Sequence, residues 1–261
     1  MKEYFRRVYD ARYFWMHLVR IDLKNKFRRS KLGILWAFVS PLCLTCIMSA
    51  VFAVAFQSNL VDYAPYILSG ILFWDVLNNA VQAGATSIIA NGAYIQQFNH
   101  PITIYTLKSA IVNVIVFLIA VIALVVWVFF VHPINLIIAA ISLPLTVVLY
   151  FGLAWPITTI ASYINTKYRD YPQVAVLVMQ TLWYLSPVFF KEDMFSKIDI
   201  LYTWFNINPI THFLYLIREP FLNGRLAGWG TYVYCFCFVV FLILLAFIVD
   251  RKSREDVIFY I

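Results

Sequence analysis

The sequence predicts an all-α integral membrane protein with six transmembrane helices, and three observations carry that prediction. First, Ile34 to Phe56 is a run of 23 residues without a charge. As a helix it is about 34 Å long at ~1.5 Å per residue, against a hydrocarbon core of ~30 Å. Second, hydrophobic residues make up 63% of the 261-residue chain and charged residues 13%, where soluble domains carry ~25%. Third, the cations sit beside the apolar runs. Lys2, Arg6, Arg7, Arg12, Arg20, Lys24, Lys26, Arg28, Arg29 and Lys31 precede the first run, against Glu3, Asp10 and Asp22. The net charge of +7 therefore reads as topology and contact with membrane lipids, with no nucleic acid as partner.

Residues 1–33 form a cytoplasmic segment. At ~100° per residue, Phe5, Val8, Tyr9, Met16, Val19, Leu23 and Phe27 share one face, with Arg12 intruding, and Arg6, Asp10, His17, Lys24 and Arg28 lie opposite. This is the pattern of an amphipathic helix at the membrane interface, serving as an anchor or as a brace that touches a partner. The segment has no apolar h-region, so no cleavable signal peptide is predicted. Gly33 hinges into the transmembrane domain, 34–261, whose first span is 34–56. Gln57 to Asp62 is a turn, and the second span, 63–84, is interrupted only by Asp75. Thr86 to Pro101 is a polar, amide-rich connection. The third span covers 109–131, with Lys108 placed to snorkel at its end. His132-Pro133 reverses the chain. The fourth span is placed at 134–163, within an uncharged stretch too long for one straight crossing, and Pro144 and Pro156 are expected kinks. Lys167, Arg169 and Asp170 close it. Pro172 suits the first turn of the fifth span, 172–190. Residues 191–228 are a mixed segment, and the sixth span, 229–249, is followed by Arg251, Lys252 and Arg254.

Six spans put both termini on one side. Sixteen Lys and Arg then fall on that side and four on the other (Lys191, Lys197, Arg218 and Arg225). The excess predicts that both termini are cytoplasmic. No repeat relates the two halves of the chain, which argues against an inverted-repeat carrier.

In the second span Asp75, Asn78, Asn79 and Gln82 stand at i, i+3, i+4 and i+7, one polar stripe placed near the membrane midplane. It either hydrogen-bonds another helix or walls a hydrated conduit. The outer segment 191–228 carries Phe195, Tyr202, Trp204, Phe205, Phe213, Tyr215 and Phe221, and Pro209 divides it into two short helices at or dipping into the outer interface. Its aromatics fit an interfacial belt or a surface that stacks on sugar rings. Catalytic patterns are absent. The four histidines have no metal spacing, no Gly precedes a Lys as a Walker A loop requires, and Cys43 and Cys46 form a C-x-x-C inside an apolar run. Glu192, Asp193 and Asp199 read as a solvated rim.

Four strings, RIDLKNKFRRSKLGILWAFVSPL, SIIANGAYIQQFNHPITIY, NTKYRDYPQVAVLVMQTLWYLSPVFF and INPITHFLYLIREPFLNGRL, resemble in order and spacing the membrane subunit of ABC transporters that export polysaccharides, a family that includes O-antigen, capsule and teichoic-acid exporters. The second string departs from the family at Gln96 and Gln97, where basic residues are common, and at His100-Pro101, where Phe-Pro is. The resemblance implies a homodimer of six-span subunits in the bacterial inner membrane, each docked on a separate cytoplasmic ABC ATPase. This chain would bind no cofactor, and ATP and Mg would belong to the partner. The N-terminal helix would be an interface helix, and 87–98 would hold the coupling helix, with Ser87, Asn91, Tyr94, Gln96 and Phe98 as its candidates. Residues 191–228 would form paired outer gate helices, with Tyr202, Trp204, Phe213 and Tyr215 as candidates. Trp36, Phe52, Trp183 and Tyr184, with the Asp75 stripe, would line a channel for a lipid-linked polysaccharide, O-antigen first and capsule next. Another ABC exporter, of drug or haem type, a membrane glycosyltransferase, and a stand-alone channel or carrier remain as alternatives.

Overall fold

Long apolar runs become long helices because a backbone in lipid must satisfy its own hydrogen bonds. The computed structural model describes residues 2–28, 30–56, 60–98, 100–131, 133–190, 199–254, 257 and 260, and among these there is no strand. Eleven α-helices follow in order among the described residues: α1 Lys2–Asp10, α2 Arg12–Lys26, α3 Trp36–Phe56, α4 Leu60–Val81, α5 Gly92–Gln97, α6 Thr103–Val131, α7 Asn135–Lys167, α8 Tyr171–Leu185, α9 Asp199–Ile207, α10 Pro209–Leu222 and α11 Trp229–Ser253. Four stretches, Gly33–Phe52 at α3 and the helices α6, α7 and α11, are long and apolar enough to cross a membrane. The predicted turn at 57–62 lies partly outside the described residues, since 57–59 are not among them. The same holds for His132 of the predicted reversal and for 191–198, with Glu192, Asp193 and Phe195.

α7 is the centre of the bundle, packed by α6, α11, α10 and α4, while α4 also packs on α3 and α6. At 33 residues it reaches ~50 Å, well beyond a ~30 Å core. Pro144 and Pro156 both lie inside it. The core joins Phe73 of α4, Phe117 of α6, Tyr150 of α7 and Phe213 of α10, with ring centroids 5.1–6.3 Å apart. The Tyr150 hydroxyl donates to the Phe213 carbonyl at 3.0 Å, which satisfies its one polar atom in an apolar setting.

Several elements differ from the sequence expectation. The N-terminal helix is two helices, broken at Ala11, and the Trp15 indole bridges the break to the Val8 carbonyl at 3.1 Å. Its buried stripe is Ala11, Leu18 and Val19, whereas Tyr9 and Met16, expected on the apolar face, are 64% and 51% exposed. The cause is that α2 rests on α6, so protein rather than periodicity sets the inner face. Lys108 does not snorkel. It is buried and pairs with Asp22 at 2.7 Å because α2 brings that carboxylate to it. Asp22→Asn should therefore lower stability by about 2 kcal/mol, the scale of a charge-assisted bond. A melting midpoint in detergent checks this, and adding Lys108→Met should recover part of the loss.

α4, the expected second span, is shifted three residues toward the N-terminus relative to 63–84, and Asp75 lies about 7 Å from its middle and about 9 Å from its C-terminal end. α8, the expected fifth span, stops at Leu185 rather than 190, because Pro187 disfavours helical backbone at Ser186. Gly33, with φ +53°, turns the chain from the basic segment into α3 in a conformation that a side chain would strain.

Candidate functional site

The polar stripe of α4 opens on space. Asp75, Asn78, Asn79 and Gln82 hold one another along the helix: Asn79 Nδ2 donates to the Asp75 carbonyl at 2.7 Å, and Gln82 Nε2 to Asn78 Oδ1 at 2.5 Å. Asp75 and Asn78 border two openings. A cavity of about 210 Å³ joins them to Asn79, Lys26, Trp36 and Asn113. A groove of about 400 Å³ joins them to Gln82, Gln180, Trp183 and Tyr184. Desolvation pushes the Lys26 ammonium below the ordinary lysine value, and the pull of Asp75 opposes that shift. Seven of the eight channel candidates thus converge. Phe52 lies apart, stacked on Phe189 at 5.5 Å and edge-on to Phe190 at 6.2 Å. A ladder of rings links it to the groove, through Phe189 to Trp183 at 4.8 Å and Trp183 to Trp74 at 4.7 Å.

That ladder hangs on an unwound segment, Ser186 to Phe190, whose carbonyls need partners. Arg218 supplies two of them. Its Nη1 donates to the Pro187 carbonyl at 2.7 Å, its Nη2 to Val188 at 2.8 Å, and its Nε to Ser69 Oγ at 3.3 Å. The guanidinium lies 3.7 Å from the centroid of the Tyr66 ring. The Tyr63 hydroxyl donates to the Phe189 carbonyl at 2.5 Å and Tyr66 to Phe190 at 2.7 Å. Gly70 faces the Val188 carbonyl, and a Cβ there would lie 2.4 Å from that oxygen. Counting cations had put Arg218 in the outer loop. It is buried, because α10 enters the bundle against α7, α11 and α4 instead of lying on its surface. A lone Arg in the apolar run LYLIREPF was the available signal.

Among the gate candidates, Tyr202 and Trp204 are exposed on α9, and the Trp204 indole donates to the Leu185 carbonyl at 2.9 Å. Phe213 is in the core, and Tyr215 is half-buried with its ring edge-on to His212 at 6.5 Å. Asn208 caps α10, accepting from Ile210 N at 3.0 Å, and donates to Ser186 Oγ at 3.0 Å.

At the other end, residues 84–98 form two 3₁₀ turns and then α5. Ser87 and Asn91 point inward, with Asn91 Nδ2 donating to the Ser87 carbonyl at 2.6 Å. Tyr94, Gln96 and Phe98 point outward. Phe14 of α2 sits against Tyr94, Phe98 and His100, with centroids at 6.3, 5.9 and 4.6 Å. The two candidate contact elements therefore form one aromatic face. Nearby, Asp250 accepts from Thr103 Oγ1 at 3.1 Å and from the Tyr163 hydroxyl at 2.7 Å, and it pairs with Arg254. Tyr4 closes the group, 2.5 Å from Thr103 Oγ1 and under the Arg254 guanidinium. Sequence reading missed this hub because its members are far apart in the chain.

Four helices long and apolar enough to cross a membrane define a multi-pass membrane protein. A family model described as ABC-2 type transporter matches residues 13–222, and the chain belongs to that family. It is similar to two proteins of Klebsiella pneumoniae, both named O-antigen export system permease protein RfbA. Each is 23% identical, over 222 and 223 residues, covering 84% of this chain and 85% of theirs. A protein of the same name from Myxococcus xanthus is 22% identical over 232 residues, 85% of each chain. Membership makes this chain a transport subunit and implies an ABC ATPase as partner.

Proposed function

We infer that this chain is the membrane-spanning half of an ATP-driven exporter that moves a lipid-linked polysaccharide, O-antigen before capsule, across the bacterial inner membrane. The observation that carries the reading is the groove beside Asp75, where amides and aromatic faces share one wall. Such a wall offers a polymer many weak, exchangeable contacts, which suits conduction better than one tight site. The names of the relatives support the choice of cargo.

In this reading α4 and α8 are spans as well, which makes six. Both termini are cytoplasmic, and two copies assemble side by side. α1 and α2 are the interface helix, α5 with Tyr94, Gln96 and Phe98 meets the ATPase, and α9 and α10 form the outer gate. ATP and Mg bind the partner. ATP-driven closure of the partner pair moves α5 and α2 together through the Phe14 contacts. The Lys108–Asp22 pair passes that motion to α6.

Cysteine scanning tests the conduit. With Cys43, Cys46, Cys235 and Cys237 replaced by Ser, single cysteines at 75, 78, 79 and 82 should react with a small membrane-impermeant thiol reagent when the partner is cycling. No reaction at any of the four, in either nucleotide state, would assign the stripe to helix packing. Glycolipid that copurifies with the complex separates polysaccharide export from drug or haem export.

A further inference from the structure

The lining of the groove carries a second kind of information, its charge. Three rings (Trp74, Trp183 and Tyr184), three amides (Asn78, Gln82 and Gln180) and the Asp75 carboxylate border it, and among the described residues no cation does. Lys26 is the cation whose field reaches Asp75. It stands in the other opening, beside Trp36, and no ion pair joins the two. Ring faces stack on the apolar faces of sugar rings, and amides both donate to and accept from hydroxyls. A carboxylate also accepts from hydroxyls. Toward a second anion it is repulsive, the more so in a confined site of reduced dielectric.

Resting on the export reading above, we propose that this groove takes uncharged sugar units, and that Asp75 sets this preference by disfavouring anionic ones such as uronic acids and phosphorylated sugars. Two other occupants fit less well. An acyl chain would leave four polar side chains facing it with only the Gln82–Asn78 hydrogen bond among them. A second copy of the chain finds a better surface on the apolar outer face of α8, where Val174, Leu177 and Val178 are exposed, than in an amide-lined groove.

The test uses the full chain with its ATPase partner in lipid nanodiscs. The probes are maltoheptaose, which is uncharged, and a heptamer of galacturonic acid, both read by tryptophan quenching and ATPase stimulation. The uncharged heptamer should bind at least ~10-fold more tightly at low salt, and the ratio should shrink toward 1 M salt, where the screening length falls to ~3 Å. Asp75→Asn should bring the ratio within ~2-fold by improving the acidic probe alone, since the amide keeps the shape and removes the charge. Asp75→Glu should keep the wild-type preference, which separates a change of charge from a damaged fold. Trp183→Ala should weaken both probes. Equal binding of the two probes by the native chain, or an unchanged ratio in Asp75→Asn, overturns the charge selection and leaves the glycan reading standing. Binding of neither probe, with surface glycan still exported by Trp183→Ala, removes the groove from the glycan path and this inference with it.

Discussion

Arg218→Met should be the most damaging single substitution in the bundle. The methionine keeps much of the length and removes every donor, so the Val188 carbonyl, bonded at 2.8 Å, loses its partner, and the Pro187 carbonyl, bonded at 2.7 Å, keeps only a long 3.4 Å bond from the Tyr66 hydroxyl. An orphaned buried acceptor costs about 1–3 kcal/mol, so the pair should cost several kcal/mol. At about 2–4 °C per kcal/mol for a chain of this size, the melting midpoint in detergent should fall by roughly 10 °C. Arg218→Lys should fall between, because one ammonium cannot reproduce a fork that reaches two carbonyls and Ser69. Gly70→Ala approaches the same segment from α4 and should also destabilise, since its Cβ has no room beside the Val188 oxygen. An Arg218→Met chain that melts within ~2 °C of the native one would show that the unwound segment does not depend on this anchor.

Tyr94→Asp should abolish export while leaving the protein inserted. Tyr94 is outward-facing on α5 and is held by Phe14 and Phe98 at 6.3 and 6.5 Å, so a carboxylate there disturbs both the aromatic face and whatever docks on it. Interface aromatics of this kind cost at least ~2 kcal/mol when lost, about 30-fold in partner affinity. Surface glycan should drop by at least ~10-fold and the ATPase should no longer copurify. Asn91→Ala, at an inward position of the same segment, should affect stability more than partner binding. Normal export by a well-expressed Tyr94→Asp chain would remove α5 from the contact.

The helices were legible wherever an apolar run was long and bounded by charge, as at α3 and α11, whereas α6 begins at Thr103, six residues before the expected 109, and carries Lys108 inside it. Boundaries inside apolar sequence were not. At α8 the hydrophobicity continues through Val188, Phe189 and Phe190, and only Ser186-Pro187 marks the end of the helix. The break at Ala11 has no sequence signal of its own, since Ala favours helix. Of the site, the α4 stripe could be read because it lies on one helix at helical spacing. Its meeting with Gln180, Trp183 and Lys26 could not, since two other elements, α8 and α2, deliver those side chains. Arg218 and Lys108 show the same limit. Sequence places a cation near a span end, but only packing decides whether it faces lipid headgroups, a carboxylate or a row of carbonyls.

The hub at Asp250 has a consequence for biosynthesis. Tyr4 and Thr103 are made early, whereas Asp250 and Arg254 come near the end of the chain. At about 5–20 residues per second, on the order of 10–50 s separates the synthesis of Tyr4 from that of Asp250. Through that interval the N-terminal helix has Asp22 to hold it once α6 is in place, but not the cluster that ties Tyr4 to the bundle. A segment synthesised early is therefore locked late, and a chain truncated before α11 should carry α1 loose and open to proteases.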